Sequence, residues 1–359
     1  MLLMTTKYEN PPADEAKQIE HIIELTRQQL LKRYPSPKPV LRGVHPKDHG
    51  CVLGSFQIDS FLKNELRVGV FSKPGAEFPC AIRFSNAATT VLPDDPVVNG
   101  KPVPGSRGMA IKLVNMDSPN PEGLIPTQDF LMVNHPVFAF ANVADYEALS
   151  ELILKNNEDA TEFFTKPYKT DEATLKRIQR TGLIVTRIRG GNDKVPPFQP
   201  APSHPAQNSY FSAAPFLFGE GRVMKYRVTP INDPITSPPM NAEPDYLRKA
   251  LRVRLDLTRL GNHPIVFQFS VQVRKIDEVD IDTEIEDASN EWDETKYPFE
   301  SVGTITIPPQ DFETDAARER CERIFLTPWH THPEHRPLGG INRLRQKVYE
   351  TSMKMRLGN

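Results

Sequence analysis

Cysteine is scarce in this chain: Cys51, Cys80 and Cys321 are the only three in 359 residues, with no Cys-x-x-Cys pair and no even-numbered framework. That count excludes a small disulfide scaffold and suits a reducing compartment. Long apolar runs are missing too, and no stretch approaches the ~20 apolar residues that a membrane-spanning helix needs. The opening Met-Leu-Leu-Met-Thr-Thr-Lys turns polar too early for a secretory signal, so a cytoplasmic location is expected. Charge of one sign is also absent. Lys+Arg of 44 against Asp+Glu of 46 leave a net charge of -2, which offers no electrostatic footprint for nucleic acid. Partners are therefore expected among small molecules and other proteins.

Proline, by contrast, is abundant: the 35 residues are roughly double ordinary usage. They gather at 35–39, 93–104, 196–205 and 230–244, between apolar alternating segments, and so mark turns and long ordered loops. Residues 14–33 carry helical spacing (Ile19, Ile22, Ile23, Leu30) and stop before Tyr34-Pro35, which predicts an N-terminal helical arm over 1–40. Short β-type runs follow over 42–143, helical periodicity returns over 144–190, and strands resume after about 216. Val266 to Arg274 is the cleanest of these, with Phe267, Phe269, Val271 and Val273 alternating with polar partners. Arg222 to Val228 and Leu251 to Leu257 also read as strands. The residues alone imply an α+β chain with antiparallel sheet. Two strand blocks, about 42–143 and 216–310, have enough material to close into a barrel.

The chemistry concentrates near the C-terminus. On a helix, Arg345 and Tyr349 lie one turn apart, placing a guanidinium beside a phenol oxygen. A cation there favours an anionic oxygen, and the best chemical use of such a group is as an axial ligand to haem iron. Arg345-x-x-x-Tyr349, with Arg356-Leu357-Gly358 starting seven residues after the tyrosine, resembles the haem-ligating helix of the catalase family. Upstream, Arg42-Gly43-Val44-His45, Arg83-Phe84-Ser85, Arg107-Gly108-Met109-Ala110 and Asn134-His135-Pro136-Val137-Phe138 resemble further stretches of that family, in the family's order.

This resemblance implies a catalase-like fold: an eight-stranded antiparallel barrel with flanking helices, and haem b buried beside it. Residues 41–359 would form one haem-binding domain, with the haem-ligating helix at about 340–357. Tyr349 would be the iron ligand, partnered by Arg345. Arg42, Arg83 and Arg356 would hold the propionates, because guanidinium pairs with carboxylate in a bidentate way that lysine cannot match. His45, in an extended strand, would move the peroxide proton, an imidazole being suited to both halves of that transfer. Asn134 would steady the peroxide or its leaving oxygen. Its context departs from the family, where two adjacent asparagines precede Thr-Pro. Val44, Ser85 and Phe138 would line the distal face.

The chain stops at Asn359, soon after the Tyr349 segment, and in this it resembles the short catalase-related branch, which includes haem peroxidases and the coral allene oxide synthase. The expected activity is a catalase-like peroxidase acting on hydrogen peroxide with small organic donors. A fatty-acid hydroperoxide isomerase or dehydratase is the alternative, and a non-catalytic haem carrier the lesser one. Val44, where the isomerase has a threonine, leans toward peroxide turnover. A homodimer is the preferred assembly, no NADPH is expected, and no integral membrane segment is. The cluster Trp329-His330-Thr331-His332-Pro333-Glu334-His335 has enough imidazoles to suggest a metal site, yet Pro333 breaks any helix that would align His332 with His335.

Overall fold

The computed structural model describes residues 7–114, 127–261 and 263–358. Eight strands follow one another around a ring: β1 (Asp48–Ile58), β2 (Glu77–Asn86), β3 (Arg107–Leu113), β4 (Gln128–Val133), β5 (Tyr210–Phe211), β6 (Arg222–Pro230), β7 (Ile265–Lys275) and β8 (Glu300–Ile307). Each pairs antiparallel with its successor, and β8 returns to β1 in the register Ser55–Thr306 to Ile58–Gly303, so the expected eight-stranded barrel is closed. A closed ring leaves no unpaired edge for another chain to extend. The period-2 alternation of β7 directs Phe267, Phe269 and Val271 into the interior. There Phe269 meets Phe56, Phe130 and Tyr226 with ring centroids 4.7–5.6 Å apart. The barrel is thus filled by its own aromatics, and any cofactor must lie outside it.

Among the described residues seven α-helices flank the ring: α1 (Glu15–Arg33), α2 (Val143–Lys155), α3 (Thr161–Thr165), α4 (Glu172–Ile188), α5 (Tyr246–Arg254), α6 (Asp315–Arg323) and α7 (Gly340–Leu357). Side chains cap the starts of α2, α4 and α6: Asn142 accepts from the backbone N–H of Asp145, Asp171 from that of Thr174 and Thr314 from that of Ala317. The apolar stripes of α1, α2 and α7 meet through Ile19, Ile22, Val143, Leu344 and Val348. The start of α7 is further fixed by Arg343, whose buried guanidinium is shared by Glu9, Glu15 and Glu286. Three carboxylates on one guanidinium fix α7 against the N-terminal arm.

Two readings are corrected. Leu251 to Leu257 is not a strand: Leu247 and Leu251 sit one helical turn apart on α5 and are fully buried, so a 3.6-residue period prevails over the apparent alternation. Cys51 of β1 and Cys321 of α6, which the sequence reading left unpaired, form a disulfide with Cα atoms 5.5 Å apart. The two are separated by 270 residues, and only the closed barrel brings them together. Cys80 remains a buried free thiol, with burial pushing it up to about 12.

Candidate active site

Between the outer face of β2–β4 and the helices α1, α2 and α7 lies a cavity of about 370 Å³. Arg42, Val44, His45, Arg83, Ser85, Phe138, Arg345, Tyr349 and Arg356 all line it, so nine of the ten residues singled out from the sequence are brought together. They come from positions as far apart as 42 and 356, and the barrel register is what collects them. Arg83 and Ser85 alternate along β2 and so share its outer face. Arg345, Tyr349 and Arg356 share the cavity side of α7.

His45 lies in the loop just before β1 rather than in an extended strand. Its backbone is left-handed, with φ of 57°, a conformation that costs a non-glycine residue energy and persists only where the surroundings impose it. The surroundings do so from both sides: the His45 N–H donates to the Ala88 carbonyl at 2.8 Å, and Arg83 donates to the His45 carbonyl at 2.9 Å. The ring is set by Ser85, whose Oγ is 2.9 Å from His45 Nδ1. Gly108 makes room for this pair, since a Cβ there would stand 2.5 Å from the imidazole. With Nδ1 engaged, Nε2 is the nitrogen left for a substrate. Although the ring is only partly buried, desolvation and the guanidiniums of Arg83, Arg345 and Arg42 lower its pKa to about 3, so it is neutral and weakly basic.

At the other end, Arg345 Nε donates to the Tyr349 hydroxyl oxygen at 3.4 Å, and the guanidinium sits 5.5 Å from the centre of the ring. Arg345 is aimed by Asn342, which accepts from Nη1 at 3.0 Å and itself donates to the carbonyls of Pro215 and Leu338. The expected one-turn pairing is therefore in place, supported by the buried side chain of Asn342.

Arg42, Arg83 and Arg356 converge with too few anions among them. Glu322 pairs with Arg42 at 3.3 Å. Arg83 Nε and Arg356 Nε and Nη1, in contrast, are buried and make no hydrogen bond among the described residues. Desolvation, reinforced by the charge of Arg42, lowers Arg83 to about 9 and Arg356 to about 10. Guanidiniums that must be charged, are buried and repel one another call for an anionic ligand with several oxygens. The two carboxylates of a haem have that chemistry, and the tyrosine oxygen, the apolar walls and the cation cluster together fit such a group.

Asn134 is the tenth residue, and it does not line the cavity. Its Oδ1 accepts from the Arg107 N–H at 2.7 Å, its own N–H donates to the Arg107 carbonyl, and Gln199 donates to its carbonyl. These contacts hold it as a connector at the end of β4. The next residue, His135, is buried and lines the cavity instead. Both residues lie in the bend beyond Val133, where β4 has ended, so no strand period in the sequence indicates which of them faces the cavity. His135 was legible only as the residue before Pro136.

The histidine-rich segment serves the barrel end. His330 Nδ1 lies 3.1 Å from both Asp129 and Lys112, and His335 Nε2 accepts from the Val70 N–H at 3.1 Å. The His332 and His335 rings are 5.9 Å apart, and the only group of described residues with metal-ligand spacing is Asp48, Cys321 and Glu322, whose Cys321 is spent in the disulfide.

No protein-family model matches the chain, and no curated protein does. Among solved structures, a fungal catalase superposes with a TM-score of 0.62 at 16% identity, covering 91% of this chain and 61% of that one. Catalase A from Saccharomyces cerevisiae gives 0.65 at 16%, over 91% and 63%, and a bacterial catalase 0.62 at 17%, over 97% and 62%. This chain therefore spans about three fifths of the length of the catalases it matches. At such identity the likeness concerns architecture alone, and in architecture the chain has the catalase fold.

Proposed function

We propose that this protein is a haem-dependent oxidoreductase acting on peroxides, with Tyr349 as the iron ligand. The observation that carries the reading is the cavity itself: a phenol, the neutral imidazole of His45 and three guanidiniums, two of them with unmade hydrogen bonds, line one space outside a filled barrel. Bound there, haem would supply the oxidising power that follows splitting of a peroxide O–O bond.

The chain's own residues supply the rest. Arg83 and Arg356, each with an unmade hydrogen bond, would take carboxylate oxygens, with Arg42 alongside. Arg345 would keep the Tyr349 oxygen electron-rich, an arrangement that stabilises ferric over ferrous iron. His45 Nε2 would accept the proton of a bound hydroperoxide and return it to the departing oxygen. The low basicity of His45 in this cationic setting ensures that the proton is not retained. Val44, Phe138 and neighbouring apolar residues would exclude bulk water.

A second reading, hydroperoxide isomerase or dehydratase, has one observation in its favour. The cavity is also walled by Phe140, Leu149, Ile153, Val185 and Ile188, apolar side chains that hydrogen peroxide does not need and an alkyl chain would pack against. The two readings separate in stopped-flow absorbance of the haem-loaded protein mixed with hydrogen peroxide or with a polyunsaturated fatty-acid hydroperoxide. Oxygen release or donor oxidation with hydrogen peroxide supports the first, and rapid loss of the lipid hydroperoxide without a donor supports the second. Tyr349→Phe distinguishes both from adventitious haem: an unchanged Soret spectrum would remove Tyr349 from the role of ligand.

A further inference from the structure

The cavity holds a second imidazole that the reading above leaves without work. His135 is 4% exposed, lines the same space as His45, and sits at the end of β4 where Asn134 turns away. Its two nitrogens are both accounted for. Nδ1 lies 2.6 Å from the Val137 carbonyl, and Nε2 lies 2.8 Å from Ser106 Oγ. A carbonyl can only accept, so Nδ1 carries the hydrogen. In the neutral ring Nε2 is then a bare lone pair, and the Ser106 hydroxyl must be the donor. The face of the ring is covered by Phe198 at 5.9 Å, over which Arg187 stacks at 3.7 Å, so the imidazole cannot swing away from Ser106 without breaking that stack. Ser106 lines the cavity as well, and its oxygen keeps lone pairs free to accept.

We propose that Ser106 and His135 form a second proton-transfer station in this cavity, which anchors the hydroxyl end of a hydroperoxide and passes its proton through Ser106 Oγ to His135 Nε2. The proposal rests on the peroxide reading above. In the step, the substrate O–H donates to Ser106 Oγ while the hydrogen already on Ser106 moves to Nε2. One O–H bond breaks on the substrate, one breaks and one forms on the serine, and one N–H forms on the imidazole. The positive charge left on His135 is shared with the Val137 carbonyl, and the reverse path delivers the proton back. No other bond changes. Burial holds the His135 pKa at about 4, so the charged form is short-lived and the station resets.

The test uses the full-length, haem-loaded protein with hydrogen peroxide and with cumene hydroperoxide. Ser106→Ala removes the relay hydroxyl and leaves the His135–Val137 contact intact. The expected result is a fall in kcat/KM of about tenfold to a hundredfold with unchanged haem content, and recovery to within a few-fold in Ser106→Thr. Full turnover by Ser106→Ala, with active wild type, would overturn the proposal and leave the peroxide reading standing. Wild type inert toward both peroxides would sink the reading and the proposal with it. Independently of activity, nitrogen-15 spectra of the haem-free protein report the tautomer: hydrogen on His135 Nδ1 is expected, and hydrogen on Nε2 would overturn the relay.

Discussion

Arg83→Met should make the haem-free protein more stable and the haem-bound protein less able to keep its haem, and the opposite signs are what make the test severe. Arg83 is 4% exposed, and burial beside Arg42 lowers its pKa from 12.5 to about 9. At neutral pH that difference weighs against the charged side chain by about 5 kcal/mol. Removing the guanidinium forfeits its hydrogen bond to the His45 carbonyl, about 1.5–3 kcal/mol for a charged donor, so the net gain is about 2–3 kcal/mol. Spread over the melting entropy of a chain this long, at about 2.1 cal/mol/K per residue, that is roughly a 3–4 °C rise in Tm. Loss of a charge-assisted contact to haem carboxylate should speed transfer of haem to an apo-globin acceptor by tenfold or more, since every 1.4 kcal/mol of lost binding is a factor of ten. Differential scanning calorimetry of the apo protein and the transfer rate from the loaded protein give the two numbers. A lower apo Tm, or an unchanged transfer rate, would refute the view that these arginines are held in reserve for an anion.

His45→Ala should retain haem, because the side chain is bonded to Ser85 and not to the cation cluster, yet lose peroxide turnover by about 10²–10⁴-fold; turnover near that of wild type would remove it from the proton path. Acid should destabilise the fold through buried neutral imidazoles. His335, pushed down to about 3 chiefly by burial, is uncharged in the native state while its unfolded counterpart takes up a proton near 6.5, so its contribution is intact above pH 6.5 and drains away as the pH falls toward 3. By pH 4.5 the loss is about 2–3 kcal/mol, and urea titrations at pH 7 and 4.5 should show His335→Gln losing about that much less than wild type; equal losses would exclude the imidazole as the cause. Reduction of Cys51–Cys321 should lower Tm by several degrees, given the ~2–5 kcal/mol typical of a native disulfide, and should also speed haem loss, because Arg42 donates to the carbonyls of Cys321 and Ile324 at the end of the tethered α6. Haem retention that is insensitive to reductant would separate α6 from the Arg42 clamp.

What the sequence disclosed and what it concealed divide along a physical line. Period-2 alternation in Val266 to Arg274 and the one-turn spacing of Arg345 and Tyr349 are local, and both read directly into β7 and α7. Closure of the ring depends on Tyr210–Phe211, two residues that pair with Val133 on one side and with Arg227 and Val228 on the other; a strand that short has no period to detect. The disulfide needs the barrel to exist before Cys51 and Cys321 are neighbours. Asn134 and His135 show the sharpest limit: both are polar, both precede Pro136 in the bend after β4, and only tertiary contacts show that the asparagine braces Arg107 while the histidine lines the cavity. The arginines give the converse case. Each of Arg42, Arg83 and Arg356 taken alone reads as an ordinary surface charge and is marked only by the family resemblance, whereas the pairing deficit is a property of the three together. A folded chain tolerates such a deficit where a ligand removes it, so the site is most legible in what its residues leave unsatisfied.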